Sequence, residues 1–257
     1  MRNVIAICKR ELLSFFVSPI AYFVITGFAL LIGFFFFNYL AYFARMFEYA
    51  QSMAFRGDME MLNLNQFVIE RVYQTTVVIL VFLIPLLTMR IVAEEKRRGT
   101  FELLITSPVS VGEIVCGKFL SLVVVIVAML AITLLFPLLL IAYGKPEIPP
   151  IISGFVGLVL CAVAFASIGM AVSSFTENQV VAGVSSMVVL LLLYVIQAPA
   201  EAVGNTSAEI LRYLSPLEQA QQFFIGVISL RAVAYFISLI LVGLFISRRA
   251  LEAYRWR

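Results

Sequence analysis

The chain has 257 residues, 63% of them hydrophobic and only 13% charged, with 18 lysines and arginines against 15 acids for a net charge of +3. A soluble domain is nearer half apolar and a quarter charged, so this chain cannot cover its apolar side chains in water, and so small a net charge gives no basis for nucleic-acid binding. Histidine is absent, Asp58 is the only aspartate, and Cys8, Cys116 and Cys161 are odd in number and scattered. That inventory excludes HExxH zinc sites, Ser-His triads and paired intramembrane aspartates, and it implies no disulfide framework.

Several apolar runs reach the length of about 18–20 residues that spans a bilayer, so the chain reads as a polytopic, all-α membrane protein. Before the first run, Arg2, Lys9, Arg10 and Glu11 interrupt residues 1–18 too often for a secretory signal. Val4, Ile5, Cys8, Leu12 and Phe15 share a helical face with Lys9 and Arg10 off it. This predicts an N-terminal interfacial helix, or else the frayed start of the first span.

Six spans are expected, at about 19–40, 72–92, 111–142, 151–173, 180–198 and 223–246. The polar segments 43–71 and 199–222 leave the membrane on the far side, the first with helical apolar spacing. Span 2 carries Pro85 and span 3 is interrupted by Pro137. Ser110 and Glu113 match a capping box at the start of span 3. Span 4 is rich in small residues (Gly154, Gly157, Ala162, Ala166, Gly169, Ser173), as expected where helices approach closely.

Orientation follows from the basic residues. Only Arg45, Arg56, Arg71, Lys145, Arg212 and Arg231 fall on one side, and the other twelve of the 18 fall on the side of the termini. Both termini are therefore expected in the cytoplasm.

Between spans 2 and 3 lies AEEKRRGTFELLITSPVS, Ala93 to Ser110. One charge at a bilayer centre costs about 2.5–3.5 kcal/mol, so Glu94, Glu95, Lys96, Arg97 and Arg98 must face the cytoplasm. Gly99 permits a change of direction. Phe101, Leu104 and Ile105 then share one face of a short helix, and Pro108 pushes Ser107 out of helical geometry. The expectation is a short helix across the ends of spans 2 and 3, built for docking, with an ordinary charged loop as the alternative.

The run MRIVAEEKRRGTFELLITSPVSVGEIVCGK resembles the segment between the second and third spans of ABC-2 type transporter permeases. The agreement lies at Arg90, Ala93, Glu94, Glu95, Gly99, Thr100, Glu102, Leu103, Leu104, Pro108, Gly117 and Lys118. KRELLSFFVSPIAY, AFASIGMAVSSFTENQVVA, LSPLEQAQQFFIGVISLRAVAYF and the terminal LEAYRWR resemble the gliding-motility-type subgroup, whereas residues 43–71 depart from it.

The resemblance implies a single ABC-2 transmembrane domain over 1–257, with a type V exporter-like permease fold, in a bacterial cytoplasmic (inner) membrane. It implies a subunit that forms the membrane path, carries no catalytic or metal residues and binds no cofactor itself. ATP and magnesium belong to a separate cytoplasmic ABC ATPase, two of which work with two permease copies or homologues, with an extracytoplasmic accessory subunit as a further partner. The ATPase would dock on the coupling helix of about 96–107, through Glu94, Glu95, Arg98, Gly99, Thr100, Phe101, Glu102, Leu103, Leu104, Thr106 and Pro108. Phe175, Thr176, Glu177 and Asn178 would form a second cytoplasmic contact.

Other readings are weaker. Gly112 to Lys118 has the spacing of a phosphate-binding loop, but Phe119 stands where a magnesium-binding Ser or Thr is needed. Asn205-Thr206-Ser207 matches a glycosylation sequon by chance. Lys118 with Ser121 is the best surviving catalytic dyad, against a positive-inside lysine and a helix-packing serine. A secondary transporter needs ionisable groups near the midplane, and the spans hold essentially none between their ends. An ATP-energised motility or envelope machine that moves no substrate is the remaining alternative. The amphipathic far-side segments and the Phe, Leu and small residues of the spans suit an amphiphilic substrate.

Overall fold

The computed structural model describes residues 2–52, 63–100, 109–143, 146–198 and 205–255, and among these the regular structure is helical throughout. Helix α1 (Arg2–Val17) buries Ile7, Cys8, Glu11 and Phe15, a stripe stepping by four, while Ile5 is exposed. Cys8 and Phe15 of the expected face are buried and Val4 and Leu12 half-buried, with Lys9 and Arg10 exposed; packing shifts the edge of the face, adding Ile7 and Glu11 and leaving out Ile5. A β-carbon at Gly117 would stand 2.8 Å from Ile7 Cβ and 3.0 Å from the Val4 carbonyl oxygen, so only glycine admits α1 this closely.

Helix α2 (Pro19–Ser52) continues without a break through residues expected to lie beyond the first span. The helical spacing of that segment is real, and Phe43 stacks on Phe47 and packs on Phe67, both at 6.3 Å. A π-helical turn, Asn65–Ile69, leads into α3 (Glu70–Thr88), so the second apolar helix begins before the expected Val72. Helix α4 (Ala93–Arg97) follows, and Gly99 at φ 71° turns the chain as its lack of a side chain allows. The expected apolar face of the coupling helix, in residues 101–108, lies outside the described residues.

Helix α5 (Val111–Ala131) opens with the expected capping box: the Glu113 N–H donates to Ser110 Oγ at 3.2 Å, and the Ser110 N–H donates to Glu113 Oε2 at 3.0 Å. Pro137 has no N–H to offer the Thr133 carbonyl. There the helix tightens into a 3-10 turn, Ile132–Leu134, before α6 (Leu135–Tyr143). The rest are α7 (Ile148–Ser173), α8 (Gln179–Val195), α9 (Asn205–Leu214), α10 (Pro216–Phe224) and α11 (Leu230–Arg255). Phe223 was expected to open the last span. Instead it lies in the last turn of α10, and Gly226 at φ 96° breaks the helix before α11 begins.

Among the described residues, five helices are long and apolar enough to cross a membrane: Pro19–Tyr49, Asn65–Arg97, Val111–Ala142, Ile148–Ser173 and Leu230–Tyr254. Helix α8 is apolar but has 17 residues, about 25 Å at 1.5 Å per residue. Helix α7 is the hub, packed against α3, α5, α8, α10 and α11. Its glycines make this possible. A β-carbon at Gly154 would lie 2.2 Å from Tyr73, at Gly157 2.5 Å from Phe223, and at Gly169 2.3 Å from Thr88 Oγ1. Tyr73 is fully buried and donates its hydroxyl to the Ile151 carbonyl at 3.0 Å. The apolar stretches of α3 and α7 are 67% buried, those of α2 and α11 only 28%.

Candidate functional site

The charged insert lies where α1, α3, α4, α5, α7 and α11 come together. Helix α4 divides its charges between two sides. Glu94 is four residues from both Arg90 and Arg98, the i,i+4 spacing that brings side chains together on a helix, and it pairs with each, with Arg90 at 3.4 Å. Arg90 also donates to Ser18 Oγ at 2.7 Å, which ties the start of α2 to the insert.

Glu95 turns the other way, to Arg10 of α1 and to Lys118 of α5, the latter 2.8 Å away. Lys118 has none of its side chain exposed; besides Glu95 it meets Glu11 Oε1 at 3.0 Å and donates to the Ile91 carbonyl at 2.9 Å. Arg10 closes the ring on Glu11 at 2.7 Å. One buried ammonium therefore joins α1, the end of α3, α4 and α5.

Taking a charge out of water costs several kcal/mol, offset here only because every charge has a close opposite partner. Burial by itself raises the Glu11 carboxyl, but the Lys118 ammonium and Arg10 guanidinium outweigh it and hold that carboxyl below its ordinary range.

On the far side of α4, the buried Lys96 donates to the Ser174 carbonyl at 2.6 Å and lies 4.6 Å from the Tyr254 ring centre. The Ala93 N–H donates to Ser173 Oγ at 3.2 Å, and that hydroxyl donates to the Met89 carbonyl at 3.2 Å. These bonds seat the insert against the end of α7, beside residues 175–178.

The expected docking residues divide into three groups. Glu94 and Glu95 are half-buried and engaged within the bundle. Arg98, Gly99 and Thr100 are exposed. Phe101, Glu102, Leu103, Leu104, Thr106 and Pro108 lie outside the described residues. In the second expected segment, Phe175 and Glu177 are exposed. Thr176 Oγ1 accepts from the Asn178 N–H at 3.1 Å, and Asn178 Oδ1 caps α8 by accepting from the Val180 N–H at 2.9 Å. The two segments adjoin through the Lys96–Ser174 bond.

The charge-pairing role of Glu11, Arg10 and Lys118, and the contact of Lys96 with Tyr254, were not read from the sequence. A signal existed: Glu11 is the one acid of α1 and sits four residues from both Ile7 and Phe15 on its buried stripe. As for the dyad, Ser121 Oγ donates to the Lys118 carbonyl at 2.6 Å, the back-bond of a helical serine. Residues 112–118 with phosphate-loop spacing are helical, and the Lys118 ammonium is enclosed by carboxylates.

A comparison with curated proteins gave no match. The family model described as ABC-2 family transporter protein matches residues 5–249. With several helices fit to cross a membrane and a charged insert seated at one end of them, the chain is a multi-pass membrane protein that belongs to the ABC-2 transporter family.

Proposed function

We propose that this chain is the membrane-spanning permease subunit of an ATP-driven transporter in a bacterial cytoplasmic membrane, coupled to a separate ABC ATPase. The single observation that carries the reading is the seating of α4, with its outer charges exposed and its inner charges held by the bundle. Helix α8 serves as the sixth span, so that both termini and the insert face the cytoplasm. Its 17 residues lie at the short end of the lengths that span a bilayer.

In this reading the ATPase docks on residues 96–107, with Phe175 to Asn178 beside them as the second contact. ATP and magnesium stay in that partner, and this chain is no enzyme. Closure of the ATPases pushes on α4, and Glu95 passes the displacement through Lys118 to α5 and α1. A second permease copy completes the path, and an amphiphile suits its apolar lining. The gliding-motility-type subgroup remains part of the proposal.

The test is co-purification. Replacing Glu102 by Lys and Leu103 and Leu104 by Ala removes apolar contact of about 1.5–3 kcal/mol per fully buried side chain and reverses a charge. The expected outcome is a permease that reaches the membrane but loses its ATPase on purification. An ATPase that still co-purifies and couples with all three residues replaced would overturn the docking assignment.

A further inference from the structure

At the opposite end of α3 from the charge cluster, a cleft of about 370 Å³ opens between α2 and α3, lined by Tyr39, Gln66, Phe67, Glu70, Arg71, Gln74 and Thr75. That volume is within the range of small-molecule sites. Two of its lining residues, one from each helix, are hydrogen-bonded to each other, the Tyr39 hydroxyl and Thr75 Oγ1 at 2.8 Å. The π-helical turn Asn65–Ile69 forms one wall, and such turns interrupt α-helices frequently at functional sites.

The cleft is polarised. On one side is the Arg71 guanidinium, which forms no ion pair among the described residues and has the Phe67 ring as its neighbour, 5.9 Å to the centroid. On the other is the half-buried Glu70 carboxylate, which accepts from Gln74 Nε2 at 3.0 Å through Oε1. Oε2 accepts no hydrogen bond from the described residues.

Depth adds a second constraint. Helix α3 has 19 residues, about 28 Å at 1.5 Å per residue, which matches a hydrocarbon core of about 30 Å. Glu70 and Arg71 at its start therefore sit at headgroup level, with bilayer below. Toward the bilayer centre the same faces continue with Leu31 and Phe35 on α2 and with Val78 and Phe82 on α3. Leu31 and Phe82 are exposed.

We propose that this cleft binds the headgroup of a zwitterionic amino-phospholipid. The phosphate accepts from the Arg71 guanidinium, the primary ammonium donates to Glu70 Oε2, and the acyl chains lie along the apolar faces below. Gln66 and Gln74 serve the remaining phosphate and glycerol oxygens. The proposal stands apart from ATPase docking, because it needs only this chain.

The experiment is native mass spectrometry of the purified chain in detergent, titrated separately with phosphatidylethanolamine, phosphatidylcholine, phosphatidylglycerol and water-soluble phosphoethanolamine. One phosphatidylethanolamine should be retained per chain. Phosphatidylcholine, whose quaternary ammonium has no N–H, and phosphatidylglycerol should be retained about ten-fold less, as expected for one lost hydrogen bond to a charged group. Arg71→Ala and Glu70→Gln should each weaken phosphatidylethanolamine by a similar factor, and Gln66→Trp, at an exposed position, should block the cleft without touching either charge. An unchanged size-exclusion profile checks that each variant is folded. Equal retention of the three lipids, or retention indifferent to all three variants, would mean annular lipid only and overturn the site. Equal binding of soluble phosphoethanolamine would overturn the assignment to a lipid.

Discussion

Lys118 holds Glu11 at 3.0 Å with none of its own side chain in contact with solvent. Helices α1 and α5 thus meet through an ion pair rather than through apolar packing alone. Removing Lys118 leaves Glu11 and Glu95 with only the half-exposed Arg10 between them, and breaking a buried pair costs about 3–5 kcal/mol. Lys118→Met should therefore lower the thermal unfolding midpoint in detergent by many degrees. The triple variant Glu11→Gln, Glu95→Gln, Lys118→Met should recover much of that loss, since the one charge left without a partner, Arg10, has 54% of its side chain exposed and keeps its water. A Lys118→Met midpoint equal to that of the parent protein would show that the pair contributes nothing.

Acid should loosen α1. Because the folded Glu11 carboxyl lies below its ordinary value of 4.5, its stabilising contribution is complete above that value and is lost as the pH falls through the lower, folded one. Unfolding midpoints measured from pH 7 down to pH 3 should drop in the acid limb, and Glu11→Gln should flatten that limb. An identical acid limb in the variant would place the titrating group elsewhere.

The glycines of α7 should tolerate nothing larger. Gly157→Ala puts a β-carbon 2.5 Å from Phe223 Cβ in the core, an overpacking that costs about 1–3 kcal/mol. Gly27→Ala in α2 has open space within 4 Å and should leave the midpoint unchanged or slightly raised. Detergent melting curves of the two variants separate packing from backbone effects. Equal midpoints would mean that α7 and α10 can part without cost.

Topology gives a fourth outcome. With Cys8, Cys116 and Cys161 replaced, a single cysteine at Glu147, Asp58 or Glu209 should react from outside intact cells with an impermeant maleimide. One at Arg97 or Glu252 should react only after lysis. Reversal at more than one site would invert the proposed orientation or change the span count.

Purified alone, the chain should hydrolyse no ATP, and turnover above background without a partner subunit would overturn the division of labour proposed.

What could be read in the sequence was local. The Ser110–Glu113 cap needs only four consecutive residues, and both of its hydrogen bonds are present. Pro137 and Gly99 act through their own backbones, and the helix tightens and turns where they stand. Lys118 could be read as a positive-inside lysine, as half of a dyad with Ser121 or as part of the family motif, but not as the centre of a charge cluster. Its partners lie 107 residues away at Glu11 and across the insert at Glu95, so its role appears only once α1 has docked on Gly117. The face of α1 was legible except at its edge: Cys8 and Phe15 are buried as expected, but docking on the glycine of another helix covers Ile7 and Glu11 and leaves Ile5 exposed. The last span began late because a glycine with a positive φ breaks the helix within the mostly apolar run that starts at Phe223 and also holds Ser229 and Arg231.

The unequal covering of the long helices bears on bilayer thickness. Two thirds of the apolar stretch of α7 is buried, whereas α2 and α11 present most of theirs outward. A thicker or thinner membrane adjusts to apolar length by tilt and local deformation, at a modest cost per ångström, and it can apply that load only to surfaces it touches. The load therefore falls first on α2, which begins just after Ser18, the residue bonded to Arg90, and passes Tyr39 at the cleft. Moving the protein from short-chain to long-chain lipid should shift α2 against α3 before it disturbs α7, making the outer helices the bilayer's handle on an otherwise rigid hub.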